Sequence, residues 1–463
     1  MRDGFGRASL LHFGRDAGRR GPHAAALGER LSSDPSLMQL LPLTALRTEA
    51  NASGVAAHML AQTGPIGASK TDQGRAFLVH AMVLREIARR TGEIETLARA
   101  SSAARRAHEL VRGDRRATAD ALVKQATILA LAADLFGDDE AAKTAGQKLD
   151  EAVILPLDPL VAARAGALRA ALLARRALVA RNASVGEAAA SALMSAGAAL
   201  DTLAKTGKLD ASEAHEAHCD LVELLIGGGL QAKDRRKLDQ ALDLLDRLAP
   251  LLDAAYRPLT WARAETLRGQ AMAALGDLAG EPAVIADGSL ALTSVVEEIP
   301  MGHSPLDAAR AGHALGLVLQ ALGEVCEEEA LFDRAIAAFA PALEALDAAP
   351  HLPLRSVVAH DGAVCLARRA ERRGDLESLE RAEAAFREAL KSNIAASDPL
   401  AWAVTQVALA RIYEAEAEIR GDTGERADAA FALASALEVF AEYGLRSLSE
   451  VALCALERVK TIA

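Results

Sequence analysis

The sequence predicts an all-α protein, a superhelical array (α-solenoid) of antiparallel helix pairs. Three observations predict it. The hydrophobic fraction of 51% is supplied mostly by Ala and Leu, while aromatics are only 3%, a composition suited to closely packed helices with little side-chain bulk. No alternating Val/Ile/Tyr-rich stretch marks a strand. Prolines open segments at a regular spacing: 47 residues separate Pro258 from Pro305, and Trp402 follows Trp261 by three such intervals. A period held over three intervals marks repeats that share one continuous core.

The totals narrow the function classes. A net charge of −11 and a pI of about 5.6 disfavour nucleic-acid binding as the main task. The four cysteines, Cys219, Cys326, Cys365 and Cys454, are scattered without a Cys-x-x-Cys pair, and read as small buried hydrophobes in a reducing compartment. No run reaches the roughly 18 apolar residues of a membrane span, and Leu10-Leu11 is too short a core for a secretory signal. A cytoplasmic location is expected.

In chain order, residues 1–35 carry arginines at 2, 7, 15, 19, 20 and 30 among glycines and prolines, the composition of a flexible basic tail. A short helical N-terminal segment is expected over 36–71, as two helices, Ser36 to Ala50 and Ser53 to Gln62. Their Ala50, Gly54, Leu60 spacing is loosely that of a helix-turn-helix, but no Arg, Asn or Gln cluster follows to read bases. About eight helix pairs are expected over 72–444, and a capping helix over 445–463.

First helices of the pairs are predicted to open near Asp72, Asp114, Asp158, Ala211, Arg257, Ser304, Leu352 and Asp398. Pro159, Pro258, Pro305, Pro353 and Pro399 stand just inside those starts, where the missing N–H would be unpaired anyway. Second helices follow a small-large-small rule at offsets of four and three: Ala335, Phe339, Ala342; Ala382, Phe386, Ala389; Ala429, Leu433, Ala436; and, more weakly, Ala189, Leu193, Ala196 and Ala241, Leu245, Leu248. The offsets place each trio on one helical face, where small residues admit a neighbouring helix and the large one fills the gap. First helices carry Leu315, Gly316, Leu319 and Leu409, Ala410, Tyr413. Gly227 to Gly229 predict a sharp turn, and Gly280, Pro282, Gly288 and Pro300 predict a short or kinked second helix in the pair that begins at Arg257.

These signatures resemble the tetratricopeptide repeat, whose first helix carries a Leu-Gly pair followed by an aromatic and whose second carries Ala, Phe, Ala at these offsets. The usual period of that family is 34 residues, so this is a long-repeat variant of about 42–53 residues, each helix longer by about one turn. The repeat-closing proline of the family is replaced by the proline opening the next unit. The resemblance covers residues 72–463 and is most specific from 257 onward. It implies a right-handed superhelix with a concave groove that holds peptides or partner helices.

Chemistry-bearing candidates are few. Gly64 to Thr71, with Lys70, departs from a phosphate-binding loop by Ser69 in place of glycine, and no strand precedes it; an inter-helix loop with Thr71 or Asp72 as N-cap is the alternative. His215, His218 and Cys219 share a helix at zinc-ligand offsets, against a reading as exposed histidines beside a buried cysteine. His360, Asp361 and Cys365 would point in different directions. Charge runs at Arg105-Arg106, Arg368-Arg369 with Arg372-Arg373, Glu327 to Glu329 and Glu414, Glu416, Glu418 read as solvated faces. If any line a groove, Arg368, Arg369, Arg372 and Arg373 would bind acidic peptide segments.

The function expected is therefore a non-enzymatic protein- or peptide-binding scaffold or adaptor. It would use no cofactor, no specific nucleic acid and no membrane span, and a homo-dimer is open to it. One alternative is a sensor-regulator with residues 1–71 as effector or DNA-binding module. The other is an unrecognised enzyme, or a nucleotide- or zinc-binding protein, centred on Lys70 or His215.

Overall fold

The computed structural model describes residues 36–62, 69–391, 399–421, 423–442 and 446–461. The basic tail and residues Gly64 to Ala68 lie outside these. Every element among the described residues is helical. A short helix α1 (Ser36–Leu40) and a long α2 (Leu43–Gln62) precede eight pairs: α3 (Lys70–Thr91) with α4 (Ile94–Val111), α5 (Arg115–Phe136) with α6 (Asp139–Val153), α7 (Pro159–Val179) with α8 (Ala183–Lys205), α9 (Ala211–Ala232) with α10 (Arg235–Leu248), α11 (Pro258–Ala279) with α12 (Pro282–Glu298), α13 (Pro305–Cys326) with α14 (Glu329–Ala345), α15 (Pro353–Arg373) with α16 (Leu376–Lys391), and α17 (Pro399–Arg420) with α18 (Thr423–Glu442). Helix α19 (Arg446–Thr461) packs on α18.

Local chemistry sets the starts. Asp114, Asp138, Asp158, Asn182, Asp210 and Asp234 each accept hydrogen bonds from the first-turn amides of the helix they precede, and Pro159, Pro258 and Pro282 occupy first-turn positions. Helix α3 is capped by Ser69, in a reciprocal box with Asp72. The expected cap at Thr71 or Asp72 lay two or three residues too late; Asp72 serves instead as the partner of the cap.

The packing rule holds where its residues are described. Ala335, Phe339 and Ala342 are buried, as are Ala382 and Phe386, Ala429, Leu433 and Ala436, and the weaker trios of α8 and α10. Leu315, Leu319, Leu409, Ala410 and Tyr413 are buried on the first helices.

Three local expectations are corrected. Helix α2 runs unbroken from Leu43 to Gln62, so Gly54 marks no turn. A Cβ there would stand 2.9 Å from the His80 ring of α3, so the glycine serves close helix contact. Gly227 to Gly229 lie inside α9, where Gly227 meets Leu178 and Gly229 meets Leu238. Helix α12 is 17 residues long and uninterrupted: Gly280 ends α11 in the left-handed region, Pro282 opens α12, and Gly288 lets it approach Gly269 of α11, whose carbonyl would stand 2.7 Å from an added Cβ.

The chain divides into two compact units, one containing the described residues up to Ala314 with Ala345–Pro353, the other Leu315–Glu344 with Leu354 onward. In the first, successive first helices also pack on one another, α3 on α5, α5 on α7, α7 on α9 and α9 on α11, which puts them on the inside of the curve. The curl brings the end of α3 to the start of α13: Arg89 meets Asp307 at 3.2 Å, and Leu352 packs on Gly92. In the second unit a core of Ala367, Ala370, Phe386, Ala410, Leu433 and Phe440, among others, binds α15 to α19.

Candidate functional site

The inner wall of the first unit is charged, and its charges are paired across one repeat. Helix α9 presents Glu213, Glu216, Asp220 and Glu223 at offsets of three and four, hence on one face. Arg164 of α7 donates to Glu213 at 2.7 Å. Arg263 of α11 donates to Glu216 at 2.7 Å, Asp220 at 2.6 Å and Glu223 at 2.9 Å. Arg257, at the start of α11, pairs with Asp210, the cap of α9, at 3.3 Å.

One guanidinium thus serves three carboxylates. Burial pushes the Asp220 carboxyl up to about 6 in spite of Arg263. Burial also opposes the Arg263 charge, but Asp220, Glu216 and Glu223 outweigh it and hold that group well above its ordinary range. Arg263 sits deep in the unit, yet 30% of its side chain meets solvent.

The end of α3 contributes a second cluster on this side. Glu86 accepts from Arg90 at 2.8 Å and Arg89 at 3.1 Å, Arg89 reaches Asp307, and the Ser304 hydroxyl donates to Asp307 at 2.6 Å. Burial works to raise the Glu86 carboxyl, but Arg89, Arg90 and Arg85 overcome it and hold the group at about 2. Burial lowers the Arg85 guanidinium, whose Nε is enclosed without a hydrogen-bond partner.

The second unit repeats the register. Arg368 of α15 lies 3.7 Å from Glu324 of α13, Arg411 of α17 donates to Glu371 of α15 at 2.8 and 3.0 Å, and Arg458 of α19 donates to Glu414 of α17 at 2.7 Å. Each acid stands on one first helix and its arginine on the next. Helix pairs stacked through their first helices, with the small-large-small rule buried in the second, decide the architecture. The chain is a tetratricopeptide-repeat-like array.

No protein-family model matches the chain, and no curated protein matches it in sequence. It is similar to several solved structures. A Rap protein in complex with competence and sporulation factor is 13% identical, with 84% of this chain and 98% of that one covered and a TM-score of 0.44. A signal transduction ATPase with a tetratricopeptide repeat sensor, from Pyrococcus horikoshii, is 12% identical, with 84% and 56% covered and a TM-score of 0.30. A circular tandem repeat protein with novel repeat topology is 18% identical, with 84% and 96% covered and a TM-score of 0.26.

The residues singled out in the sequence take varied places in the array. Arg368 lies on the first-helix ladder, also 3.6 Å from Glu371. Arg369 and Arg373 both hold Asp333 of α14, at 2.6 and 3.0 Å, and Arg373 also holds Glu329 at 2.9 Å. Arg372 stands over the Phe332 ring, 5.2 Å from its centre. Three of the four arginines are therefore ion-paired within the protein. Arg105 is exposed, and Arg106 pairs with Glu109.

His215, His218 and Cys219 diverge. His215 is buried, with Nδ1 unpartnered; His218 Nε2 lies 3.0 Å from Asp201; Cys219 is in the core beside Val222 and Leu238, where burial raises its thiol far above the ordinary range. The histidines are thus not the exposed pair the sequence suggests, because the α8 and α9 faces close over them. No group of three metal-ligating side chains is assembled among the described residues. Cys365 is buried against the Phe332 carbonyl and its thiol is pushed up to about 12 by burial, while His360 stacks edge-on to Phe386 at 5.2 Å. Cys326 and Cys454 are exposed, contrary to the expectation of four buried cysteines. Lys70 begins α3, and the loop before it lies outside the described residues.

Sequence reasoning missed the ladder, apart from Arg368 and Glu414. The signal was present as an offset: Asp210 and Arg257, and Glu216 and Arg263, are each 47 residues apart, one full repeat.

Proposed function

We propose that the chain is a non-enzymatic scaffold whose first-helix wall takes a protein or peptide segment. The observation that carries this reading is the charged first-helix wall, paired one repeat apart in both units. A ligand laid along such a wall exchanges internal ion pairs for its own, so its charge register is read residue by residue. Of the four arginines named from sequence, we propose Arg368 as the one that takes part. The array over 72–444, the tail over 1–35 and a cytoplasmic setting complete the reading. No helix is long and apolar enough to cross a membrane among the described residues.

A random-peptide selection against the intact chain, followed by calorimetry on the winners, tests it. Glu223→Gln is expected to weaken peptides held by the first unit, and Arg411→Gln those held by the second, each about tenfold or more, while Arg106→Gln on an exposed face away from the ladder leaves both unchanged. Peptides indifferent to both wall variants would overturn the reading.

A further inference from the structure

We propose that residues 38–41 form a clasp that holds the curl of the first unit closed and so controls access to its inner wall. In a solenoid each pair touches only its neighbours, so stacking alone never joins the first pair to the fifth and sixth. Residues 38–41 join them, beside the direct contacts of Arg89 with Asp307 and of Leu352 with Gly92. The Gln39 side chain accepts from the Thr260 amide at 3.1 Å and donates to the Thr260 hydroxyl at 2.9 Å, engaging the first turn of α11. The Gln39 carbonyl lies 2.8 Å from His303 Nε2, just before α13. Arg90, at the end of α3, donates to the carbonyls of Leu41, at 2.7 Å, and Met38.

Two features make this a device that opens as a unit. Arg90 is completely buried, and besides Glu86 its acceptors in the fold are those two carbonyls. Withdrawing the segment from α3 strands a buried guanidinium, so the segment stays with α3 when the curl opens. The Gln39 contacts beyond α3 are a few polar hydrogen bonds, each of modest net worth. The segment itself is one five-residue helix, α1, tethered to α2, and α2 packs on α3 independently of the clasp. The segment's own hold on the fifth and sixth pairs is therefore weak enough to be released while α2 stays docked. Asp307, bonded to Ser304 and Arg89 beside the His303 contact, would separate from α3 in the same movement.

The consequence for access rests on the binding reading above; the clasp itself does not. The test is hydrogen exchange on the intact chain carrying Gln39→Ala, Thr260→Val, or both. Expected is about tenfold faster exchange over residues 300–308, which the Gln39 side chain does not touch, with no change over 115–205. The double variant should exchange no faster than Gln39→Ala, which already removes every bond that Thr260→Val removes. Unchanged exchange at 300–308, or a uniform rise across the first unit, would overturn the proposal. Exchange needs no ligand, so a failure of peptide binding with this pattern intact would count against the scaffold reading alone.

Discussion

Glu416 offers a sharp test of the energetics within the second unit. It lies on α17, is 2% exposed, and its Oε1 is buried without a hydrogen-bond partner. Burial, then the neighbouring carboxylates Glu383 and Glu425, pushes its carboxyl up from 4.5 to about 7. Arg420, one turn on, is engaged by Glu425 and Glu380 and offsets only part of this. A shift of that size corresponds to about 3 kcal/mol between the two protonation states.

The sign follows from linkage. The folded state holds the proton more tightly than the unfolded chain, so the stability it lends is full below pH 4.5 and is lost as pH rises through about 7. Glu416→Gln removes the titration while keeping the shape. Any cost of an imperfectly paired amide is the same at every pH. Relative to the wild type, the variant should therefore gain about 3 kcal/mol between about pH 4 and pH 8.5. Urea unfolding followed by helical circular dichroism at the two pH values measures the difference. A pH-independent offset, or a variant that loses ground as pH rises, would refute the assignment of a buried, charge-averse carboxyl.

Other predictions follow from the same structure. His80 is held neutral by burial, then by Arg99 and His58, with its pKa lowered to about 4; it stabilises the fold above pH 6.5, and that stability should fade as pH drops through 4, an acid transition that His80→Gln removes. Phe339→Ala should cost about 3–5 kcal/mol in urea unfolding, since the ring is 2% exposed between the helices of its pair. Gly288→Ala forces a Cβ to within 2.7 Å of the Gly269 carbonyl and should destabilise by about 1–3 kcal/mol, whereas Gly146→Ala, with nothing within 4 Å, should be neutral or mildly stabilising in the same assay.

What could be read from the sequence divides along a physical line. Helix starts were legible because capping is local: an aspartate or a proline at the first turn acts on amides within three residues of it. The second-helix trios were legible because they repeat by residue type, and burial of Phe339 or Leu433 follows from being large between small neighbours. Glycines were misread for the opposite reason. Gly54, Gly227 and Gly288 look alike as local breakers, but each stands in a helix whose partner needs the missing Cβ, and that partner is far off in sequence: His80, Leu178, Gly269. The wall was hidden too, since a glutamate on an inner face is chemically the same as one on a solvated face until its arginine is found one repeat later.

That pairing also constrains what the wall can do. An apolar groove would bind by area and would leave exposed patches prone to association. A wall already satisfied by its own arginines gains little net energy from a ligand's charges, because each new ion pair replaces an old one. Affinity must then come from the uneven places, such as the three carboxylates that share Arg263, where a cationic side chain would relieve like-charge repulsion at Asp220. Discrimination comes from everywhere else, since a ligand whose charges fall out of register with the repeat meets its own sign at successive steps. On the scaffold reading, a wall built this way selects its partner by spacing more than by strength.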